Sequence, residues 1–145
     1  MGMYTELNIG VNLRSDTPQN IIGILQYMLG DVDEVAVTDH PLFSTPRWDM
    51  MLQCDSYYFD GRTDSSMELD DISHRYELNV RCNLKNYDNE IELFLDFIRP
   101  YLETVGFIGY TRYEEDDDPT LIYNNVHNDT IEYEKGVRLT SLDFR

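Results

Sequence analysis

A chain of 145 residues with 28 acidic and 11 basic side chains carries a formal charge of −17. That charge excludes bare nucleic acid and anionic membrane as direct ligands, because Lys and Arg must neutralise phosphates before affinity appears. Hydrophobic residues at 41% and aromatics at 12% exclude a disordered acidic tail, and the length suits one domain, residues 1–145, that buries roughly two thirds of its extended-chain surface.

The start, Met1-Gly2-Met3-Tyr4, has neither the basic residues nor the apolar stretch of a signal peptide, and no run is long enough to span a bilayer. Cys54 and Cys82 lack CxxC spacing and read as reduced thiols. A cytoplasmic location is therefore expected, with the Asn128-Asp129-Thr130 sequon a chance match.

From Glu6 to Arg14 the chain alternates, with Leu7, Ile9, Val11 and Leu13 on one face and Glu6, Asn8, Asn12 and Arg14 on the other. This is the pattern of a half-buried strand. Thr17 as N-cap, Pro18 in the first turn, the stripe Ile21, Ile22, Leu25, Met28 and Leu29, and Gly30 as C-cap glycine predict a helix from Pro18 to Leu29. An acidic connection runs to His40-Pro41. Ser44-Thr45-Pro46 then repeats the cap-plus-proline start, predicting a short helix with Trp48, Met51 and Leu52 on one side.

Ser56 to Phe59 reads as a short strand, followed by a polar loop from Gly61 to Asp71. Arg75 to Lys85 gives the clearest strand, with Tyr76, Leu78, Val80, Cys82 and Leu84 inward and Glu77, Asn79, Arg81 and Asn83 outward. A turn at Asn86 to Asn89, with Asp88 as N-cap, leads into a helix from Asn89 to Glu103 on the stripe Ile91, Phe94, Leu95, Ile98, Tyr101 and Leu102. Pro100 inside that stripe predicts a kink or a re-entered final turn, and Gly106 closes the helix. Phe107 to Glu114, Thr120 to Asn124 and Thr130 to Glu134 follow as strands, and residues 136–145 form either an edge strand or a loosely held tail.

The fold class is therefore α+β. The order strand, helix, strand, strand, helix, strand is that of a ferredoxin-like split βαβ sandwich: an antiparallel sheet with two helices on one face, a short helical insertion and a C-terminal β extension.

The densest charge is the turn Glu114-Glu115-Asp116-Asp117-Asp118, with Glu132 and Glu134 on the following strand. Carboxylates this close repel one another, so they hold a cation, face a basic partner or fan into solvent. The alternating ligands, central glycine and terminal glutamate of a calcium loop are missing. Same-face carboxylates on a strand stand about 6.5 to 7 Å apart, near the phosphate spacing of a nucleic-acid strand, which is the physical basis of a nucleic-acid mimic.

His40, His74 and His127 have no partners at zinc spacing and read as turn or surface residues. The residual catalytic pairings are His40 with Asp39 and His74 with Asp71. No phosphate loop and no GxSxG occurs, so no catalytic residue, metal ligand or cofactor is assigned. Arg47, Trp48, Tyr57 and Tyr58 form an alternative aromatic patch, set against the plainer reading in which Trp48 and Phe59 plug the open end of the core.

The blocks His40-Pro41-Leu42-Phe43, Arg47-Trp48-Asp49-Met50-Met51, Ser56-Tyr57-Tyr58-Phe59 and Leu84-Lys85-Asn86-Tyr87-Asp88-Asn89-Glu90-Ile91 resemble those of small, functionally uncharacterised α+β proteins of bacteria and their phages, over about Tyr4 to Tyr123. The resemblance implies no activity. It implies a phage-type accessory role, a class that includes inhibitors of host nucleic-acid enzymes.

The functional expectation is a non-catalytic acidic binding protein. It docks on a basic protein, or on the basic groove of a nucleic-acid-binding protein, through Glu114, Glu115, Asp116, Asp117, Asp118, Glu132 and Glu134, with Tyr110 and Tyr113 adding apolar area. Its rivals are a divalent-metal hydrolase built on clustered carboxylates and a self-associating module forming a homodimer.

Overall fold

The computed structural model describes residues 3–56, 59 and 63–136. Its centre is strand β1 (Thr5–Asn12), whose alternation puts Leu7, Ile9 and Val11 on one face at no more than 5% exposure. β1 pairs antiparallel with β3 (Arg75–Leu84) on one side and β4 (Gly106–Tyr113) on the other. β2 (Ser66–Asp70) adds to β3, and β5 (Thr120–Asn125) and β6 (Thr130–Lys135) extend beyond β4. The result is a six-stranded antiparallel sheet in the order β2-β3-β1-β4-β5-β6.

Two helices, α1 (Gln19–Met28) and α2 (Glu90–Ile98), bury their apolar stripes in one cluster with the inward residues of this sheet. Leu7, Ile9, Val11, Leu78, Val80, Ile91, Phe94 and Ile98 are all buried there, and Ile108 and Ile122 continue the layer under β4 and β5. The mixed α+β class and the C-terminal strands follow the sequence expectation.

The helix ends differ from it. Pro18 is the N-cap of α1 rather than its first residue, and Thr17 donates its hydroxyl to the carbonyl of Arg14 instead of capping. The C-terminus is as expected. Gly30 takes φ +82°, its N–H reaches the Tyr27 carbonyl, and the Asp31 N–H reaches Gln26, the paired bonds of a Schellman motif. At α2 the cap is Asn89, in a left-handed conformation, while Asn86 Oδ1 accepts the Ile91 N–H at 2.8 Å. Asp88 does not cap; its own N–H donates to Glu90 Oε1. α2 stops at Ile98 because Pro100 has no N–H to continue the ladder, and Arg99–Tyr101 forms a 3₁₀ turn. Gly106, with φ +79°, opens β4 rather than closing the helix.

Between α1 and β2 the expected helix around Trp48 is absent. Pro41–Ser44 and Met51–Gln53 are 3₁₀ turns, with irregular turns from Pro46 to Met50 between them. The expected strand at Ser56 to Phe59 includes Tyr57 and Tyr58, which lie outside the described residues, as do positions 137–145 of the tail. The strand beside β3 is instead β2, inside the stretch read as a polar loop. It is an edge strand with Glu68, Leu69 and Asp70 exposed, so the period-two signal of burial is missing from it.

Candidate functional site

Residues directly opposite one another in a sheet share a face, so the strand registers settle which side chains meet. Glu134 lies opposite Leu121, Leu121 opposite Tyr110, Tyr110 opposite Asn8, and Asn8 opposite Arg81. Glu132 lies opposite Tyr123. All stand on the face away from the helices, and Asn8 Nδ2 donates to the Tyr110 hydroxyl at 3.3 Å. Tyr113 belongs to the other face, opposite Thr5, and its hydroxyl meets Met3 Sδ. Burial, with Glu115 and Glu114 nearby, raises the Tyr113 phenol above its ordinary range. Tyr110 and Tyr113 are thus separated by the sheet.

The acidic turn folds back onto β6. Lys135 Nζ lies 3.1 Å from Asp116 Oδ2, and the Gly136 N–H donates to the Pro119 carbonyl at 2.7 Å. These bonds bring the 114–118 turn to the end of the strand carrying Glu132 and Glu134. The seven carboxylates are not equivalent. Glu114 Oε1 accepts the Tyr4 N–H at 2.8 Å and is committed to holding the start of β1, and Asp116 is paired with Lys135. Glu115, Asp117, Glu132 and Glu134 are exposed. Asn125 Nδ2 donates to Glu132 Oε1.

At the opposite end of the β5–β6 hairpin a cleft of about 530 Å³ opens between Val105, Tyr123, Val126, His127, Glu132 and Tyr133. A shallower hollow of about 400 Å³ lies on the open face over Gly10, Asn12, Glu77, Asn79 and Thr104. Leu121 and Tyr123 had no place in the sequence-based site, although the apolar run Leu121-Ile122-Tyr123 carried the signal.

Of the alternative aromatic patch, Tyr57 and Tyr58 lie outside the described residues, and Arg47 and Trp48 pack separately. Trp48 is half-buried, its ring 4.8 Å from Phe43 and 5.8 Å from Tyr27, and Phe43 continues to Phe97 at 5.2 Å. This row closes the core between α1 and α2. Arg47 lies 3.6 Å from the fully buried Glu90 and over the Tyr87 ring. Phe59 is buried on the opposite side of the sheet, where the Arg112 guanidinium lies 4.8 Å from its ring centroid and 3.4 Å from Glu6. Trp48 and Phe59 therefore do not plug one end of the core together.

His40 uses both ring nitrogens structurally. Nδ1 accepts the Leu42 N–H at 3.1 Å, which makes Nε2 the donor to Asp96 at 2.8 Å. Its partner is Asp96, not Asp39, and no ring nitrogen is left to move a substrate proton. His74 occupies a left-handed turn position, φ 56°, between β2 and β3. Burial raises the Cys82 thiol far above its ordinary value, so it is no nucleophile; Cys82 and Cys54 are both free. Among the described residues no group of three or more His, Cys, Asp or Glu side chains is arranged to hold a metal ion, and no helix is long and apolar enough to cross a membrane.

Comparison with family models, with curated proteins and with solved structures finds no match to the chain.

Proposed function

We propose that the protein is a non-catalytic binder of a basic protein surface, acting through Glu115, Asp117, Glu132 and Glu134. The observation that carries this reading is the Lys135–Asp116 contact, which joins two acidic stretches distant in sequence into one exposed end of the sheet. A patch of one sign steers association in a way that dispersed charge does not. Glu132 and Glu134 share a face of one strand, so their carboxylates repeat at about 6.5 to 7 Å, a spacing that suits a protein surface adapted to phosphates. The partner is accordingly a basic groove of a nucleic-acid-binding protein, and the phage-type inhibitor or nucleic-acid mimic is the specific form of the proposal.

For the frame, we read a split βαβ of ferredoxin-like type extended by β5 and β6. It is supported by the succession β1, α1, β2, β3, α2, β4 and by the burial of both helices in one cluster. A cytoplasmic setting is supported by the two free cysteines.

The test is affinity capture from a bacterial lysate at low and high salt, using the protein and its Glu115→Gln, Asp117→Asn, Glu132→Gln, Glu134→Gln variant. Glu114 and Asp116 are left intact because they are engaged by the Tyr4 N–H and by Lys135. The expected result is a partner recovered by the unmodified protein at low salt, lost from the variant and released by duplex DNA. Equal recovery by both proteins at both salt levels rules out the acidic end as the binding surface.

A further inference from the structure

β6 is the terminal strand of the sheet, and among the described residues no strand pairs with its outer side. In an antiparallel strand alternate residues point their N–H and C=O groups to the same side, so every second residue of Thr130–Lys135 presents both groups away from β5. Such an edge is a template for another strand, and natural proteins that leave one open usually blunt it. Here the blunting is by charge that is mainly acidic, the strand's Lys135 being paired with Asp116. Glu132 and Glu134 stand on the open face, while on the helix side Tyr133 lies near the carboxylates of Glu92 and Asp96, with α2 packed against the strand. Burial and these two carboxylates hold the Tyr133 phenol in its neutral form well above its ordinary range. Glu92 also accepts from Asn86 Nδ2 and Asp96 faces His40, contacts that hold both carboxyl groups in place beside the edge.

The two faces of β6 differ in a way that specifies the occupant. The open face offers Glu132 and Glu134. The helix-side face offers Ile131, packed on the core, and the partly exposed ring of Tyr133 beside the 530 Å³ cleft. A second copy of this chain would bring Glu132 and Glu134 against the same residues, and like charges opposite one another are destabilising. We infer that β6 accepts an extended segment of a partner protein as a seventh strand, with Lys or Arg alternating with apolar residues, the cations meeting Glu132 and Glu134 and the apolar side chains lying over Ile131 and Tyr133. Main-chain bonds then supply affinity and the alternation fixes register, as in other additions of a strand to a sheet edge. The inference rests on the proposed binding of a basic partner and adds that the backbone, not charge alone, is read.

The probe is a capped octapeptide alternating lysine and valine, with two counterparts of equal charge: one N-methylated at every valine, the other at every lysine. N-methylation of alternate residues blocks one edge of an extended peptide and leaves the other free. At low salt the parent peptide should bind the full chain and slow amide exchange in β6. One counterpart should bind about tenfold or more weakly while the other stays close to the parent, since only one peptide edge pairs. The Glu132→Gln, Glu134→Gln variant should bind the parent several-fold more weakly. Equal binding of all three peptides overturns strand addition and leaves the acidic-surface proposal standing. Absence of parent binding, or β6 amides already fully protected in the free protein, also overturns it. Failure of the acidic-surface proposal is read separately, from lysate capture that is indifferent to salt and to the four substitutions.

Discussion

Two glycines show how differently the same residue type is used. A Cβ placed on Gly109 would stand 2.0 Å from the Asn8 carbonyl oxygen and 2.7 Å from Ile9 Cα, both backbone atoms of the central strand. Gly109 also sits at the irregularity where the β4–β5 register shifts between Phe107 and Gly109, at φ +155°. Glycine there lets β4 close on β1, and no rotamer change can relieve the contact. Gly23, in the middle of α1, has nothing within 4 Å of its missing Cβ. We therefore expect Gly109→Ala to destabilise the protein by about 3 kcal/mol or more and Gly23→Ala to stabilise it by about 0.5 to 1 kcal/mol, both read from urea unfolding midpoints. Comparable small effects at the two positions would contradict this account of the β1–β4 contact.

At the level of elements, the β2–β3 hairpin is closed by a side chain. Asp70 accepts the Ile72 N–H at 3.0 Å and the Ser73 hydroxyl at 2.9 Å, and the chain then turns through His74 in a left-handed conformation. The Ile72 amide first, then the Ser73 hydroxyl, holds the Asp70 carboxyl below its ordinary value of 3.8. A depressed value in the folded state means that the charged form supports the turn fully above the ordinary carboxylate range. That support is lost as pH falls through the lower, folded value. The Ile72 and Ser73 amide resonances should accordingly titrate with a midpoint below 3.8, and Asp70→Asn should remove the transition. A midpoint at or above the ordinary value would show that these bonds do not favour the carboxylate.

Over the whole molecule, 28 acidic residues face 11 basic ones. Of the seven ion pairs among the described residues, Arg14–Asp16, Arg75–Glu103 and Lys135–Asp116 are exposed at both ends and contribute little, and eleven cations are too few to pair the 28 carboxylates. Long-range repulsion among uncompensated carboxylates is therefore the larger electrostatic effect on stability. Raising sodium chloride shortens the screening length from about 30 Å at about 0.01 M to about 3 Å at about 1 M. The urea midpoint should rise over that range, and a midpoint that falls would show that local pairs outweigh the net charge.

The sequence by itself determined the elements whose burial is one-sided. The alternation in Leu7, Ile9, Val11 and in Leu78, Val80, Cys82, and the helical stripes of Ile21 to Met28 and Ile91 to Ile98, each name their own buried face because period two or 3.6 matches one side of a strand or helix. It also located the acidic residues. It did not reveal β2, whose exposed Glu68, Leu69 and Asp70 carry no periodic signal, and it misassigned the helix N-caps while placing Gly30 correctly, because Asn86 reaches Ile91 across a turn whose shape local residue types do not dictate. Only the tertiary structure decided that Tyr110 and Tyr113 face opposite sides, that His40 spends both nitrogens on Leu42 and Asp96, and that Lys135 draws the 114–118 turn onto β6. Those are relations between strands and helices distant in the chain, set by register and packing, and a one-dimensional pattern records only which way each element faces on its own.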